Sequence, residues 1–186
     1  MFGKAVSSEL LVNFAIPGTV DLSQRWILSA MSRHGQDLVT MLWRILGNEQ
    51  DVCDVYQSTF LQLAHYQARQ KPEHVKAYIF RTASNIAITV LRRKIAERKR
   101  MLRMAGRQTP IDSPEKQLDS KFLVETLRCC MAKLPEHLRD VVMLRDLAEL
   151  SYTQIGRMLD ITPATARVYR CKAIQLLAVW MGKERE

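Results

Sequence analysis

Glycine (7) and proline (6) are scarce among these 186 residues, and long β-branched runs are missing. A chain with so few turn-forming and strand-forming signals points to an all-helical protein. Cysteine is also sparse. The four, Cys53, Cys129, Cys130 and Cys171, form no C-x-x-C pair, and the four histidines show no ligand spacing with them. That argues against a disulfide framework and a metal site, and for a reducing cytosol. No apolar run approaches the roughly 20 residues that span a bilayer. The early "LLVNFAIPG" is short, interrupted by Asn13 and without a small-residue cleavage pattern, so a signal peptide is not expected. Acid is in deficit: 19 Asp and Glu against 28 Lys and Arg leave a formal charge of +9. Such an excess suggests a polyanionic partner.

The basic residues are concentrated. Arg92, Arg93, Lys94, Arg98, Lys99, Arg100, Arg103 and Arg107 crowd one segment, opposed only by Glu97. Around it the chain divides into an extension (1–22), a first helical domain (23–100), a linker (101–116) and a second helical domain (117–186). The linker assignment rests on "RMAGRQTPIDSPEKQ", where Gly106, Pro110 and Pro114 sit among polar residues. In the first domain "LVTMLWRILG" reads as an apolar helix stopped at Gly47. Val52, Val55, Tyr56, Thr59, Phe60 and Leu63 then form one stripe, with Asp51, Asp54, Gln57, Ser58 and Gln62 opposite. A third helix is expected to open with Pro72 in its first turn, its core face carried by Val75, Ile79, Ala83, Ile86 and Val90.

In the second domain Leu134, Leu138, Val141 and Val142 share a face. "SYTQIGRMLDITPATARVYRCKA", starting at Ser151, then reads as two helices and a tight turn. Ser151 and Gln154 fit a capping box, Asp160 suits a left-handed turn, and Thr162 with Pro163 opens the second helix. Gly156 permits a close approach. Ala166, Tyr169, Ala173, Leu177 or Leu176, and Trp180 make the inner face; Ala164, Arg167, Val168, Cys171 and Gln175 make the outer one, with Arg170 and Lys172 on the flanks. Small residues beside long cations suit a helix entering a major groove. Taken alone this supports a stand-alone helix–turn–helix regulator. No nucleophile–base pair, paired carboxylates or phosphate loop is present, so no catalytic residue, cofactor or small-molecule substrate is expected.

"LPEHLRDVVMLRDLAELSYTQIGRMLDITPATARVYRCKAIQLL" resembles the C-terminal region of RNA polymerase sigma factors of the extracytoplasmic-function type, with their L-P-x-x-x-R and L-S-Y motifs. "LGNEQDVCDVYQSTFLQLA" and "VKAYIFRTASNIAITVLRR" resemble the first domain of the same family. The resemblance covers about residues 25–180. It implies a bacterial, cytoplasmic subunit without chemistry of its own, which binds core RNA polymerase and promoter DNA and is commonly held by an anti-sigma protein, often membrane-bound. The second domain would read the −35 duplex through Thr162, Ala164, Thr165, Arg167, Val168, Arg170, Cys171 and Lys172. The first would hold the −10 single strand through Tyr66, Arg81, Asn85, Arg92, Arg93 and Lys94. Asp51, Asp54, Gln57 and Ser58 would dock on the polymerase. The chain departs from the family pattern at Ser58, Thr89, Val90, Gly156, Asp160, Tyr169 and Arg170.

Overall fold

A computed structural model describes residues 25–64, 72, 74–104 and 116–183. Regular structure among them is entirely helical. The first domain comprises α1 (Arg25–Leu46), α2 (Glu49–Ala64) and α3 (Val75–Met104); the second comprises α4 (Lys116–Lys133), α5 (Glu136–Val142), α6 (Tyr152–Leu159) and α7 (Pro163–Lys183). One π-helical turn, Met143–Leu147, extends α5. The extension and the connection 65–71 lie outside the described residues, as does 105–115 of the expected linker 101–116, whose ends belong to α3 (to Met104) and α4 (from Lys116).

α1 ends where Gly47 takes φ 73°, with its N–H on the Trp43 carbonyl at 3.0 Å. Only glycine takes this left-handed position without cost. α2 starts at once because Asn48 caps it: the side-chain oxygen accepts the Asp51 N–H at 2.9 Å. All six stripe residues of α2, Val52 to Leu63, are buried. The Tyr56 ring packs at 4.9 Å on Phe60, and burial pushes its phenol up to about 12, so it stays neutral.

α3 departs from expectation in two ways. It begins at Val75, with the His74 carbonyl accepting from the Tyr78 N–H at 3.0 Å, so Pro72 precedes the first turn. Its buried set is Ala77, Ile79, Phe80, Ala83, Ser84, Ala87, Ile88 and Leu91, whereas Val75, Ile86 and Val90 stay half-exposed. The reason is that α3 packs on α1 and α2 and also on the second domain. A helix with two partners buries a band wider than one stripe.

The second domain closes on itself through local rules. Ser151 accepts the Gln154 N–H at 3.2 Å, and the Gln154 side chain accepts the Ser151 N–H at 2.9 Å, completing the capping box. Asp160 is left-handed (φ 54°, ψ 47°), and Thr162 accepts the Thr165 N–H at 3.0 Å to cap α7. The small core under α7 holds Cys130, Leu134, Leu138, Val142, Ala173 and Leu177. The larger core does not stop at the domain boundary: it runs from α1–α3 into Ala132, Val141, Met143, Leu144, Ala148, Leu150, Ile155 and Ala166.

The role of Gly156 is sharper than close helix approach. A Cβ there would lie 2.6 Å from the Ile161 carbonyl oxygen, in the same turn where the Ile161 N–H bonds the Gly156 carbonyl at 2.9 Å. Backbone, unlike a side-chain tip, cannot swing away. Gly156→Ala is therefore expected to destabilise the chain by about 1–3 kcal/mol, the range for overpacking. Thermal denaturation of the full chain measures it; an unchanged melting temperature contradicts the tight turn.

Candidate nucleic-acid interface

The outward face of α7 is formed by its sequence period and left bare by its packing. Ala166, Ala173 and Leu177 point into the cores, which leaves Ala164, Arg167, Val168, Cys171 and Lys172 exposed on the other side. Thr165 is half-exposed, and the Thr162 hydroxyl is taken by the cap, 2.8 Å from that of Thr165. Val168, half-exposed at 50%, and Ala164 give a small apolar surface of the kind that meets a thymine methyl, beside an arginine that can reach a guanine edge. Arg170 does not join them. Its guanidinium forms a forked pair with the Asp146 carboxylate (2.7, 2.9 and 3.0 Å), which raises its pKa further. The expectation that Arg170 faces DNA is corrected on that ground: it ties α7 to the π-helical turn. Tyr169 packs edge-on against His137 at 5.0 Å and belongs to the inner face.

The second candidate surface is an open groove of about 480 Å³ along α3, lined by Gln62, Tyr78, Arg81, Thr82, Asn85, Ile86, Thr89 and Val90. It brings together Arg81 and Asn85 of the expected strand-binding set. It also explains why Ile86 and Val90 are only partly buried: they pack against the core on one side and line the groove on the other. Of the two aromatics of this segment, Phe80 is fully buried and Tyr78 lines the groove. Thr89 and Val90, two of the departures from the family pattern, fall on the groove wall. Tyr66 lies outside the described residues.

Arg92, Arg93 and Lys94 are not groove residues. Arg92 Nε donates to the Ala132 carbonyl of the second domain at 2.9 Å. Arg93 is exposed and lies 3.9 Å from Glu97. Lys94 bonds the Asp51 carboxylate. Arg81 is also engaged across the boundary, its Nε 3.6 Å from Asp140. Asp140 and its neighbour Arg139 are buried. Burial pushes the Asp140 carboxyl above its ordinary value, against the pull of Arg81 and Arg139. Sequence reading missed this pair. Its signal was two adjacent charges inside the apolar frame "LRDVVML".

On α2, Asp54, Gln57 and Ser58 are exposed as a docking face requires, with Leu61 half-exposed beside them. Asp51 is not part of that face: it is buried, bonded by Lys94 and by the Asn48 side chain. Its burial alone would raise the carboxyl, but the hydrogen bonds from Lys94 and Asn48, with the charges of Lys94 and Arg93, hold it below the usual carboxylate range. The expected docking role of Asp51 gives way to a structural one, because one carboxylate joins the N-terminus of α2 to α3.

Two family models match the chain: "Sigma-70 region 2" over residues 30–96 and "Sigma-70, region 4" over residues 125–177. Among characterised proteins, the chain is 25% identical over 153 residues to the ECF RNA polymerase sigma factor SigE of Mycolicibacterium smegmatis, covering 81% of this chain and 60% of that protein. It is 26% identical over 137 residues to the ECF RNA polymerase sigma factor SigW of Bacillus subtilis, covering 68% and 73%. It is 27% identical over 157 residues to the RNA polymerase sigma factor YlaC of the same organism, covering 81% and 89%. The fold is similar to that of CnrH, solved in complex with the cytosolic domain of CnrY, with a TM-score of 0.51, 18% identity and 96% of each chain covered.

The lowered Asp51 carboxyl has a pH signature. A depressed folded-state pKa adds stability above the ordinary value of 3.8 and loses it as pH falls through the lowered value. Melting temperature measured from pH 6 down to about 3 should therefore fall more steeply for the native chain than for Asp51→Asn, which has no proton to take up there. Parallel curves contradict the Asp51–Lys94 assignment.

Proposed function

The chain belongs to the sigma-70 family, in its extracytoplasmic-function branch, and from that premise we propose that it binds core RNA polymerase and directs it to specific promoters. The second domain reads a −35 element as duplex through the outer face of α7, with Arg167 as the principal base contact and Val168, Ala164, Thr165, Cys171 and Lys172 around it. The first domain holds the opened −10 strand along the α3 groove, with Asn85, Arg81 and Tyr78 at its centre and the basic end of α3 following the backbone. Stacking and a basic track suit a single strand; an exposed helix with small residues and cations suits a major groove. Asp54, Gln57 and Ser58 present the polymerase-docking face. The chain supplies recognition, and the polymerase carries the chemistry.

The observation that carries this reading is the presence on one chain of both surfaces, each inside its own family match. A stand-alone helix–turn–helix regulator would leave the match over 30–96 and the α3 groove without a purpose. The chain spans 60% of SigE's length, so the activity is argued from the matched regions and their geometry. The place of work is the bacterial cytoplasm, with the polymerase; no helix among the described residues is long and apolar enough to cross a membrane. The likeness to CnrH, solved with a cytosolic domain of another protein, supports a protein partner of the anti-sigma kind. In the arrangement seen, Arg81 and Arg92 are held by the second domain, so a −10 strand competes with Asp140 and the Ala132 carbonyl for them.

The test is specific transcription from a promoter fragment by core polymerase plus this chain. No complex and no specific start sinks the reading. Within it, Arg167→Ala is expected to cost about 1–3 kcal/mol of promoter affinity and to flatten the preference at one −35 base pair. Lys172→Ala should weaken all sequences alike and reduce the log–log salt slope by about 0.9. Promoter-binding titrations at several salt concentrations separate the two; identical behaviour of both variants contradicts the division of roles.

A further inference from the structure

Three arginines from two elements converge on Tyr152, the first residue of α6. The Arg145 guanidinium lies over its ring at 4.8 Å and that of Arg167 at 5.4 Å. Arg170 is the third, lining one cavity with Tyr152, its charge favoured first by the Asp146 carboxylate. The three are not equivalent. Arg170 is neutralised by its forked bonds to Asp146. Arg145 donates to the neutral Leu150 carbonyl at 2.8 Å. Two cations thus share one aromatic ring, with Asp146 and Glu149 lining the same small cavity as Arg145 and Tyr152.

Their mutual repulsion is tolerable because the ring's quadrupole attracts both. It also means that an anion brought alongside lowers the energy of the whole stack, as a DNA phosphate would. An arginine on an exposed helix face otherwise loses much rotamer freedom on binding. Stacking against a ring that is itself anchored restricts it beforehand. The anchor here is substantial: Tyr152 starts a helix held by the Ser151–Gln154 capping box, next to the buried Ile155.

We propose that Tyr152 is a positioning residue for promoter readout, pre-orienting Arg167 toward a base and holding Arg145 as a phosphate contact on the flank of the same site. The inference rests on the −35 reading of α7 and deepens it. Arg167 selects the base; Tyr152 touches no base and sets how well Arg167 can select. Arg145, on a different element, extends the interface beyond α7.

The experiment uses core polymerase with the full chain on promoter fragments carrying each base pair in turn across the −35 element. For Tyr152→Ala, affinity for the preferred site should fall about 2- to 30-fold, the range of a cation–π contact, with the loss of preference at the same base pair as in Arg167→Ala. The double variant should be no worse than Arg167→Ala alone at that position. Tyr152→Phe keeps the ring and should stay within about 2-fold. Tyr152→Leu, of similar bulk without a ring, should behave as Tyr152→Ala; the Phe–Leu pair decides the matter should Tyr152→Ala fail to fold. Arg145→Ala should lower affinity without altering base preference, and reduce the salt slope. Full base preference in Tyr152→Leu, or additivity with Arg167→Ala, overturns the proposal while leaving the sigma reading intact. Failure of the native chain to direct any specific start overturns that reading first.

Discussion

The central constraint in this molecule is that α3 has to satisfy two neighbours at once. One side of the helix completes the core of α1 and α2; another meets α4, the π-helical turn and α6. Ile79, Phe80, Ala83, Ala87 and Ile88 are therefore buried around a wide arc, and what remains is a narrow polar strip holding Arg81, Asn85 and Thr89. The candidate strand-binding groove is the part of α3 that neither neighbour covers. Asp140 sits at the seam, buried, with Arg81 and Arg139 as its cations. A charge in that place adds little net stability once its desolvation is counted, but removing one partner leaves the other stranded. The seam is thus specific about how the two domains meet.

The excess positive charge is apportioned by a few acids. Asp51 takes Lys94, Asp146 takes Arg170, and Asp140 takes Arg81. Each of these acids binds a residue expected among the DNA contacts, and two of the three bonds join different helices of one domain. Cations with such partners act first as struts. Arg167 and Lys172 on α7 have no such ion pair among the described residues and stay exposed, as the proposed reading face needs. A count of arginines cannot make this distinction; the positions of three carboxylates do.

The same division appears in how the chain is read. Features governed by neighbours in sequence were legible: the Gly47 stop, the α2 stripe, the Ser151–Gln154 box, the left-handed Asp160 and the Thr162 cap all depend on residues within four positions of one another. So was the exposed face of α7, whose small and basic residues follow from one helical period. The left-handed Glu149 (φ 58°) escaped notice because no glycine marks it; the Leu150 N–H reaching the Leu144 carbonyl at 2.9 Å holds it there. α3 starts at Val75 and not at Pro72 because a proline three residues ahead is also a common way to approach a helix.

By itself the sequence determined the helical class, the two domains, the helix–turn–helix and the motifs that carry family membership, because these rest on local backbone preferences and on the periodicity of apolar side chains. Only the tertiary structure decided which polar residues are at liberty. That Asp51 is buried, that Arg170 turns to Asp146, that Ile86 lines a groove and that Tyr152 gathers arginines all follow from contacts between segments far apart in the chain. Hydrophobic patterning says which side of a helix turns inward. It does not say which of two neighbours waits there, or which carboxylate a cation will find.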